Sequence, residues 1–220
     1  MNNQEDFLLI LQLGTGLFWI ITYILIIKRG FQDKKYGMPM VAICANISWE
    51  FIFLFIYSPD DLQRIITSIW LILDIIIMIQ YLIFGRKEFK KNISIKLFYS
   101  SFFITLGVSF LIIIGIAHEF NDGEGKYAAL LQNLMMSGLF ISLLLSRGNT
   151  SGQSIYIAVF KMLGTLLASI AFFIYFRTHL ITILSVAILI YDWIYIVLLC
   201  KFYRKINSSQ CKTQLQNNSE

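Results

Sequence analysis

The chain has 220 residues, of which 57% are hydrophobic and 14% are charged, and its mean hydropathy is +0.70. A soluble domain cannot hide that much apolar surface in one core, which excludes soluble enzymes and soluble binding modules. The net charge of +5 would suit a nucleic-acid partner, but the basic residues lie in short loops between apolar segments, where they indicate membrane orientation instead. We therefore expect the lipid bilayer, and no nucleic acid, as a partner.

Seven apolar segments are long enough for a helix to cross a bilayer. A hydrocarbon layer of roughly 30 Å needs about 20 helical residues, and no alternating strand pattern suggests a barrel. We predict an all-α, multi-pass membrane protein with one seven-helix domain over residues 1–206 and a disordered cytoplasmic tail at 207–220, which is rich in Ser, Asn and Gln. The predicted spans are 7–27, 37–57, 65–84, 97–117, 127–146, 154–176 and 179–200.

The loops between these spans form two sets that differ in basic residues. One set holds 14 Lys and Arg residues, whereas the opposite set, which includes the N-terminus, holds three. Because Lys and Arg accumulate in cytoplasmic loops, we predict an external N-terminus and a cytoplasmic C-terminus, in the cell membrane if the chain is bacterial. Residues 1–6 contain Glu5 and Asp6 and no basic segment, so we expect no cleaved signal peptide and keep the first apolar run as a helix.

The first predicted helix carries a stripe of small, polar and aromatic residues. Its members recur at helical spacing and are Gln12, Gly16, Trp19 and Tyr23. Such a stripe suits a helix that packs closely and lines a cavity, and it equally suits ordinary packing with an interfacial aromatic belt.

The second predicted helix contains a carboxylate at membrane depth. Asn46 and Glu50 lie one turn apart, with Trp49 beside them. An ionisable group at this depth is costly enough to indicate a functional site with a nearby partner. In an apolar pocket the Glu50 carboxyl can stay neutral. The alternative interpretation is an interhelical hydrogen bond that holds the bundle together.

A second carboxylate follows in the third predicted helix, where Trp70 and Asp74 are one turn apart. Together with Glu50, Asp74 suggests a proton-handling site. The acid pair Asp60 and Asp61 before this helix lacks the third acid of a diphosphate-binding metal site, so we interpret it as a turn that caps the helix. The three cysteines have neither metal nor disulfide spacing, and we expect no metal and no cofactor.

The last three predicted helices add two more ionisable groups. Lys161 in helix 6 either extends towards the cytoplasmic headgroups or pairs with an acid such as Asp192 in helix 7, which Tyr195 follows one turn later. Gln132 and Asn133 in helix 5 need hydrogen-bond partners inside the bundle. The acidic, glycine-containing loop at 118–125 could cover a pocket, although a solvated turn explains it more simply.

Four intramembrane ionisable groups among aromatic residues favour two functions. A neutral carboxylic acid can protonate an epoxide or alkene, and aromatic faces stabilise the resulting carbocation, which are the needs of polyene cyclisation. A proton-coupled transporter or a seven-helix receptor would also place acids and a lysine in its spans. We see no repeat of two half-bundles and no lysine in helix 7 for a retinal Schiff base, but this chemistry alone leaves the two functions level.

The ordered set of motifs resembles one family, the integral-membrane terpene cyclases of the paxilline type, known from fungal meroterpenoid and indole-diterpene pathways and from bacterial relatives. The motifs that carry this resemblance are Asn46-x-x-Trp49-Glu50, Asp74, Gly152-Gln153-Ser154, Lys161-Met162-Leu163-Gly164-Thr165 and Asp192-x-x-Tyr195.

The resemblance implies a terpene cyclase of lyase or isomerase type, from secondary metabolism, that works without a metal. By this implication Glu50 protonates a terminal epoxide or an alkene of a lipophilic, prenylated isoprenoid substrate. Asp192 corresponds to the family's second essential carboxylate, as the partner or proton supplier of Glu50. The residues expected to support the reaction or line the pocket are Asn46, Trp49, Trp70, Asp74, Lys161 and Tyr195.

Overall fold

The structure is a computed structural model that describes residues 3–57, 60–88 and 94–217. The described residues form seven α-helices and no strand, which confirms the predicted all-α fold. The helices are α1 Asn3–Asp33, α2 Met40–Phe55, α3 Asp61–Glu88, α4 Ile95–Glu119, α5 Lys126–Arg147, α6 Ile155–Tyr175 and α7 His179–Asn217.

Six of these helices are long and apolar enough to cross a membrane, and α2, with 16 residues, is shorter. At 1.5 Å per residue α2 is about 24 Å long. It begins three residues later than predicted, because Pro39 occupies its N-cap in an extended conformation. Large apolar side chains such as Ile10, Leu111 and Trp193 are more than 60% exposed, as expected of surfaces that face lipid. The chain is therefore a multi-pass membrane protein.

The short helix α2 is the most enclosed element of the bundle. It packs against α3, α4 and α5, while α1 joins α3 to α6, and α7 joins α6 to α5. Ten of its 16 residues are buried. Asn46 and Glu50 therefore point into the interior of the bundle and have no contact with lipid.

One end of the bundle is closed by a network around Arg147. Its guanidinium donates to both carboxylate oxygens of Glu88 at 3.0 to 3.2 Å and to the carbonyl oxygen of Tyr36 at 2.9 Å. The Gly152 amide donates to Asp33 Oδ2 at 2.7 Å. These contacts link the ends of α1, α3 and α5 to the loops at 34–39 and 148–154.

The loops at the other end cap the helices. Asp60 Oδ1 accepts from the Gln63 amide at 2.9 Å, which confirms that this acid caps α3; Pro59 lies outside the described residues. Asp122 accepts from the amides of Lys126 and Tyr127 at 2.9 and 2.7 Å and so caps α5.

The other residues outside the described ranges lie at the two ends of the chain and in the basic segment at 86–96. The backbone of α7 is helical up to Asn217, and residues 218–220 of the predicted disordered tail lie outside the described residues, as do residues 89–93 of the basic segment. Residues 207–217 of the tail thus have a helical backbone in the structure, and disorder stays a prediction only for residues 218–220.

Candidate active site

A cavity of about 370 Å³ runs through the half of the bundle where α1 begins. It extends along α1 from Leu8 to Tyr23, a distance of about 22 Å at 1.5 Å per residue, so it is long and narrow. Gln12, Trp19 and Tyr23 line it, whereas Gly16 packs against Ile66. The stripe predicted on the first helix therefore forms one wall of a cavity.

The inner end of this cavity carries a hydrogen-bonded cluster built on α1, α2 and α3. Asn46 Nδ2 donates to the Tyr23 hydroxyl at 2.7 Å and to Asp74 Oδ2 at 3.0 Å. The Tyr23 hydroxyl donates to Glu50 Oε1 at 3.5 Å, a long hydrogen bond. All four side chains are buried. The one-turn spacing of Asn46 and Glu50 thus places an amide and an acid on the same side of α2, facing α1 and α3.

The carboxyl groups of Glu50 and Asp74 are neighbours in this cluster, where the Asn46 amide and the Tyr23 hydroxyl connect them. Two like charges that are close together and buried repel each other and lack solvation, so we expect one of these two carboxyl groups to be protonated. Glu50 Oε2 and Asp74 Oδ1 are buried and have no hydrogen-bond partner in the structure. Glu50 lines the cavity and Asp74 does not, which places one carboxyl group next to the cavity and a second one behind it.

Three tryptophans form the walls around Glu50, namely Trp19, Trp49 and Trp70. Trp49 Nε1 donates to the Gly125 carbonyl at 3.0 Å, and the rings of Trp49 and Trp70 lie 6.4 Å apart. Their polar edges are thus tied to backbone, and the rings contribute apolar surface to the cavity. Tryptophan faces are the aromatic surfaces that stabilise a cation best.

Asp192, the other acid expected to be essential, lies away from the large cavity. Asp192 Oδ1 accepts from Lys161 Nζ at 2.8 Å and from the Ser137 hydroxyl at 2.7 Å, and Lys161 is fully buried. Lys161 therefore pairs with Asp192 and does not extend to the headgroups. Neither residue lines the large cavity. The carboxyl next to Glu50 is that of Asp74, and the expected essential role of Asp192 stays a prediction.

The Lys161–Asp192 pair is nevertheless close to the cavity wall. Lys161 Nζ lies 5.9 Å from the centre of the Trp19 ring, which lines the cavity. Tyr195 is buried further away against Phe140, with ring centres 5.6 Å apart. Of the residues expected to support the reaction or line the pocket, Asn46, Trp49 and Trp70 line the cavity, and Asp74, Lys161 and Tyr195 do not.

The mouth of the cavity is polar and includes the loop at 118–125. Glu124 and Lys126 line it together with Asp60; Lys126 Nζ pairs with Glu124 at 3.1 Å and lies 3.8 Å from the centre of the Phe176 ring. Of the loop at 118–125, Glu124 therefore lines the pocket, and whether the loop covers the pocket stays a prediction. Among the residues that the structure describes, no three His, Cys, Asp or Glu side chains come together as a metal site would require.

Sequence reasoning assigned no chemical role to several residues of the site. Trp19 and Tyr23 were noted only as part of a stripe, although their spacing from Gln12 was a usable signal. Thr165 and Asn133 line the cavity and are joined by a hydrogen bond from Asn133 Nδ2 to Thr165 Oγ1 at 3.0 Å, which supplies the partner that Asn133 needed. No sequence pattern reveals that α5 and α6 meet at this point.

Comparisons with known proteins identify the family. The sequence model described as "Pyr4-like transmembrane terpene cyclases" matches residues 3–205. Terpene cyclase macJ of Penicillium terrestre is 32% identical over 170 residues, which are 75% of this chain and 65% of the relative. Pyr4-family terpene cyclase mfmH of Annulohypoxylon moriforme is 30% identical over 162 residues, 72% of this chain and 66% of the relative.

A third relative, terpene cyclase paxB of Penicillium paxilli, is 28% identical over 160 residues, 69% of this chain and 64% of the relative. The chain thus spans about two thirds of the length of the curated relatives it matches. No solved structure matches it. The family match covers nearly all the described residues and agrees with the helical membrane fold, so the chain belongs to the Pyr4-like transmembrane terpene cyclases.

Proposed function

We propose that this protein is a terpene cyclase that protonates an epoxide or alkene of a lipophilic, prenylated substrate and cyclises it through a carbocation. The observation that carries the proposal is the position of Glu50, whose buried carboxyl lies at the inner end of a long cavity walled by three tryptophans. A narrow cavity in an apolar bundle suits an extended isoprenoid chain. The relatives named as terpene cyclases support the same activity.

In the first step Glu50 transfers its carboxyl proton to the epoxide oxygen. The carbon–oxygen bond breaks, the oxygen becomes a hydroxyl group, and the more substituted carbon becomes a cation. The π electrons of the next alkene then form a carbon–carbon bond to that cation and move the positive charge along the chain. With an alkene in place of the epoxide, the proton adds to carbon and the same ring closure follows.

The last cation is quenched by loss of a proton from a neighbouring carbon, which forms an alkene, or by capture of water, which releases a proton. In both cases one proton is released for each proton that Glu50 donates, and Glu50 must be reprotonated before the next turnover. Asp74 and Tyr23 are placed for this role, because they contact the Glu50 carboxyl and are buried away from solvent. We assign Glu50 as the general acid and Asp74 as the carboxyl that shares its proton.

Asp192 acts less directly in this scheme. The Asp192–Lys161 pair has no net charge, whether its proton lies on the amine or on the carboxylate. The pair holds the Lys161 side chain near the Trp19 ring. We assign Asp192, with Lys161, to positioning of the α1, α5 and α6 walls of the cavity. Trp19, Trp49 and Trp70 stabilise the cation. The reaction as written needs no metal and no cofactor.

The test is a cyclisation assay in membranes that contain the protein. Epoxidised and non-epoxidised prenyl phenols are incubated and the products are separated by chromatography and identified by mass spectrometry. Glu50→Gln keeps the shape of the side chain but removes the acid, so we expect a loss of turnover of roughly 100-fold or more. The exposed Glu119→Gln is the matched control and should keep full activity. Undiminished cyclisation in Glu50→Gln would refute Glu50 as the general acid, and undiminished cyclisation in Asp192→Asn would refute the positioning role of Asp192.

A further inference from the structure

A second, much smaller cavity lies between α6 and α7 and contains the free side of Asp192. Its volume is about 10 Å³, the lower end of the roughly 10–15 Å³ that one water molecule needs. The residues that line it are Met162, Thr165, Leu166, Ser169, Ser185, Ile188, Leu189 and Asp192. Four of these eight are polar, although the cavity is surrounded by membrane-spanning helices.

Two polar atoms at this small cavity are buried and have no partner in the structure, namely Asp192 Oδ2 and Ser185 Oγ. Asp192 itself is only 1% exposed, and its other oxygen, Oδ1, already accepts from Lys161 and Ser137. Burying a carboxylate oxygen and a hydroxyl group without hydrogen-bond partners lowers the stability of the fold. A shared water molecule would satisfy both.

Thr165 belongs to both cavities. Its hydroxyl oxygen accepts from Asn133 Nδ2 at 3.0 Å, which leaves its own hydrogen free to donate into the small cavity. Asn133 Oδ1, in turn, has no partner and belongs to a side chain that lines the large cavity. A chain of polar groups thus leads from the large cavity through Asn133 and Thr165 to the small one.

We propose that one water molecule in the small cavity connects Asp192 to the large cavity. The water accepts from the hydroxyls of Thr165 and Ser185 and donates to Asp192 Oδ2, with Ser169 as its fourth partner, which is the upper end of the roughly two to four partners of a buried water. All hydrogen bonds from Asn133 to Asp192 then run in one direction. This inference rests on the proposed function only for its catalytic consequence, and it makes Ser185 and Thr165 positioning residues.

The consequence is that Asp192 acts on the reaction without touching the substrate. The water fixes the second oxygen of Asp192, and through Thr165 it fixes the orientation of the Asn133 amide at the cavity wall. Losing this connection removes a hydrogen bond to a charged group. We therefore expect a fall in kcat of about tenfold, with little change in KM, because no group that lines the large cavity has been replaced.

The test compares three variants of the full chain in lipid nanodiscs. Ser185→Val places methyl groups where the water would bind and removes a partner, Ser185→Thr keeps the hydroxyl, and Ser109→Val makes the same change at a buried serine of α4 that lines neither cavity. Electron cryomicroscopy maps that resolve ordered waters, and kcat and KM for cyclisation, are the measurements. Thermal unfolding of each variant shows that it is folded.

We expect a water peak between Ser185 and Asp192 in the unmodified protein and in Ser185→Thr, and none in Ser185→Val. We expect the lower kcat in Ser185→Val alone. A map without this water refutes the inference, as does a Ser185→Val variant that loses the water and keeps full kcat. If the unmodified protein forms no cyclic product, the proposed function fails, while the water site is still decided by the maps.

Discussion

Glu50 and Asp192 are both buried acids, yet they have opposite kinds of neighbours. Glu50 is surrounded by an amide, a phenol and a second carboxyl, whereas Asp192 is paired with an ammonium group. Only the first arrangement places a carboxyl group at the wall of the large cavity, and the proposed proton transfer depends on that position. The sequence places both acids at membrane depth, but it does not show which charge each one meets, because that depends on which helices are neighbours.

The Lys161–Asp192 pair predicts a stability effect. Lys161→Met leaves Asp192 buried without its ion-pair partner, so we expect a loss of about 3–5 kcal/mol in the free energy of unfolding. The double variant with Asp192→Asn removes the isolated charge and should recover a large part of that loss. Thermal unfolding in detergent, run on both single variants and the double variant, measures the coupling. Purely additive effects would contradict the pairing.

Tyr23 gives a prediction for activity. Tyr23→Phe removes the hydroxyl between Asn46 and Glu50 and leaves the aromatic wall of the cavity in place. We expect kcat for cyclisation to fall about tenfold and the stability to fall by about 1 kcal/mol, the value of one hydrogen bond. Tyr81→Phe, a buried tyrosine outside the cavity, is the control. A Tyr23→Phe enzyme with normal kcat would remove Tyr23 from the proton-sharing cluster.

The helices were predictable because each long apolar run has room for only one structure in a membrane. Their boundaries were less predictable. α1, α3 and α7 continue past the predicted spans into charged residues, and Pro39 delays α2. The periodicity of a single helix carries no information on the order of the helices around the bundle. The sequence therefore could not predict that Glu50 lies next to Asp74 or that Asp192 lies away from the cavity.

A loop-to-loop contact at the Arg147 network offers a test of how the elements are held together. Gly152 has φ of +76°, and an added Cβ would lie 2.7 Å from the Tyr36 carbonyl oxygen. Gly152→Ala should therefore cost at least 1–2 kcal/mol of stability, the order of the left-handed strain alone. The unfolding temperature measures this loss of stability. We expect the contacts of Arg147 with Tyr36 and Glu88 to weaken as well.

The matched control for this prediction is Gly107→Ala. Gly107 lies within α4 and nothing would contact its added Cβ, so the change should stabilise the helix by up to about 1 kcal/mol. Opposite shifts in unfolding temperature are expected for the two variants. A lower unfolding temperature for Gly107→Ala, or an unchanged one for Gly152→Ala, would contradict the packing described at that position.

The whole molecule has a predicted orientation, with 14 basic loop residues on one side and three on the other. In a background with Cys200→Ser and Cys211→Ser, which keeps only the buried Cys44, exposed cysteines introduced as Glu124→Cys or Lys34→Cys report the two sides. We expect a membrane-impermeant maleimide to label position 124 in intact cells and position 34 only after permeabilisation. The reverse pattern would invert the topology and place the cavity mouth in the cytoplasm.

The length of α2 has a consequence for the bilayer around the protein. Its roughly 24 Å fall short of the roughly 30 Å hydrocarbon layer, and Phe55 and Ile56 at its end are exposed. Thinning of the adjacent leaflet is one response to such a mismatch, and we expect it to bring the phosphate groups of the lipids towards the cavity mouth at Asp60. We expect turnover to rise in nanodiscs of short-chain phosphatidylcholine and to fall in long-chain ones. In the thinner bilayer, an amphiphilic substrate keeps its polar end hydrated while its hydrocarbon chain passes sideways from lipid into the protein.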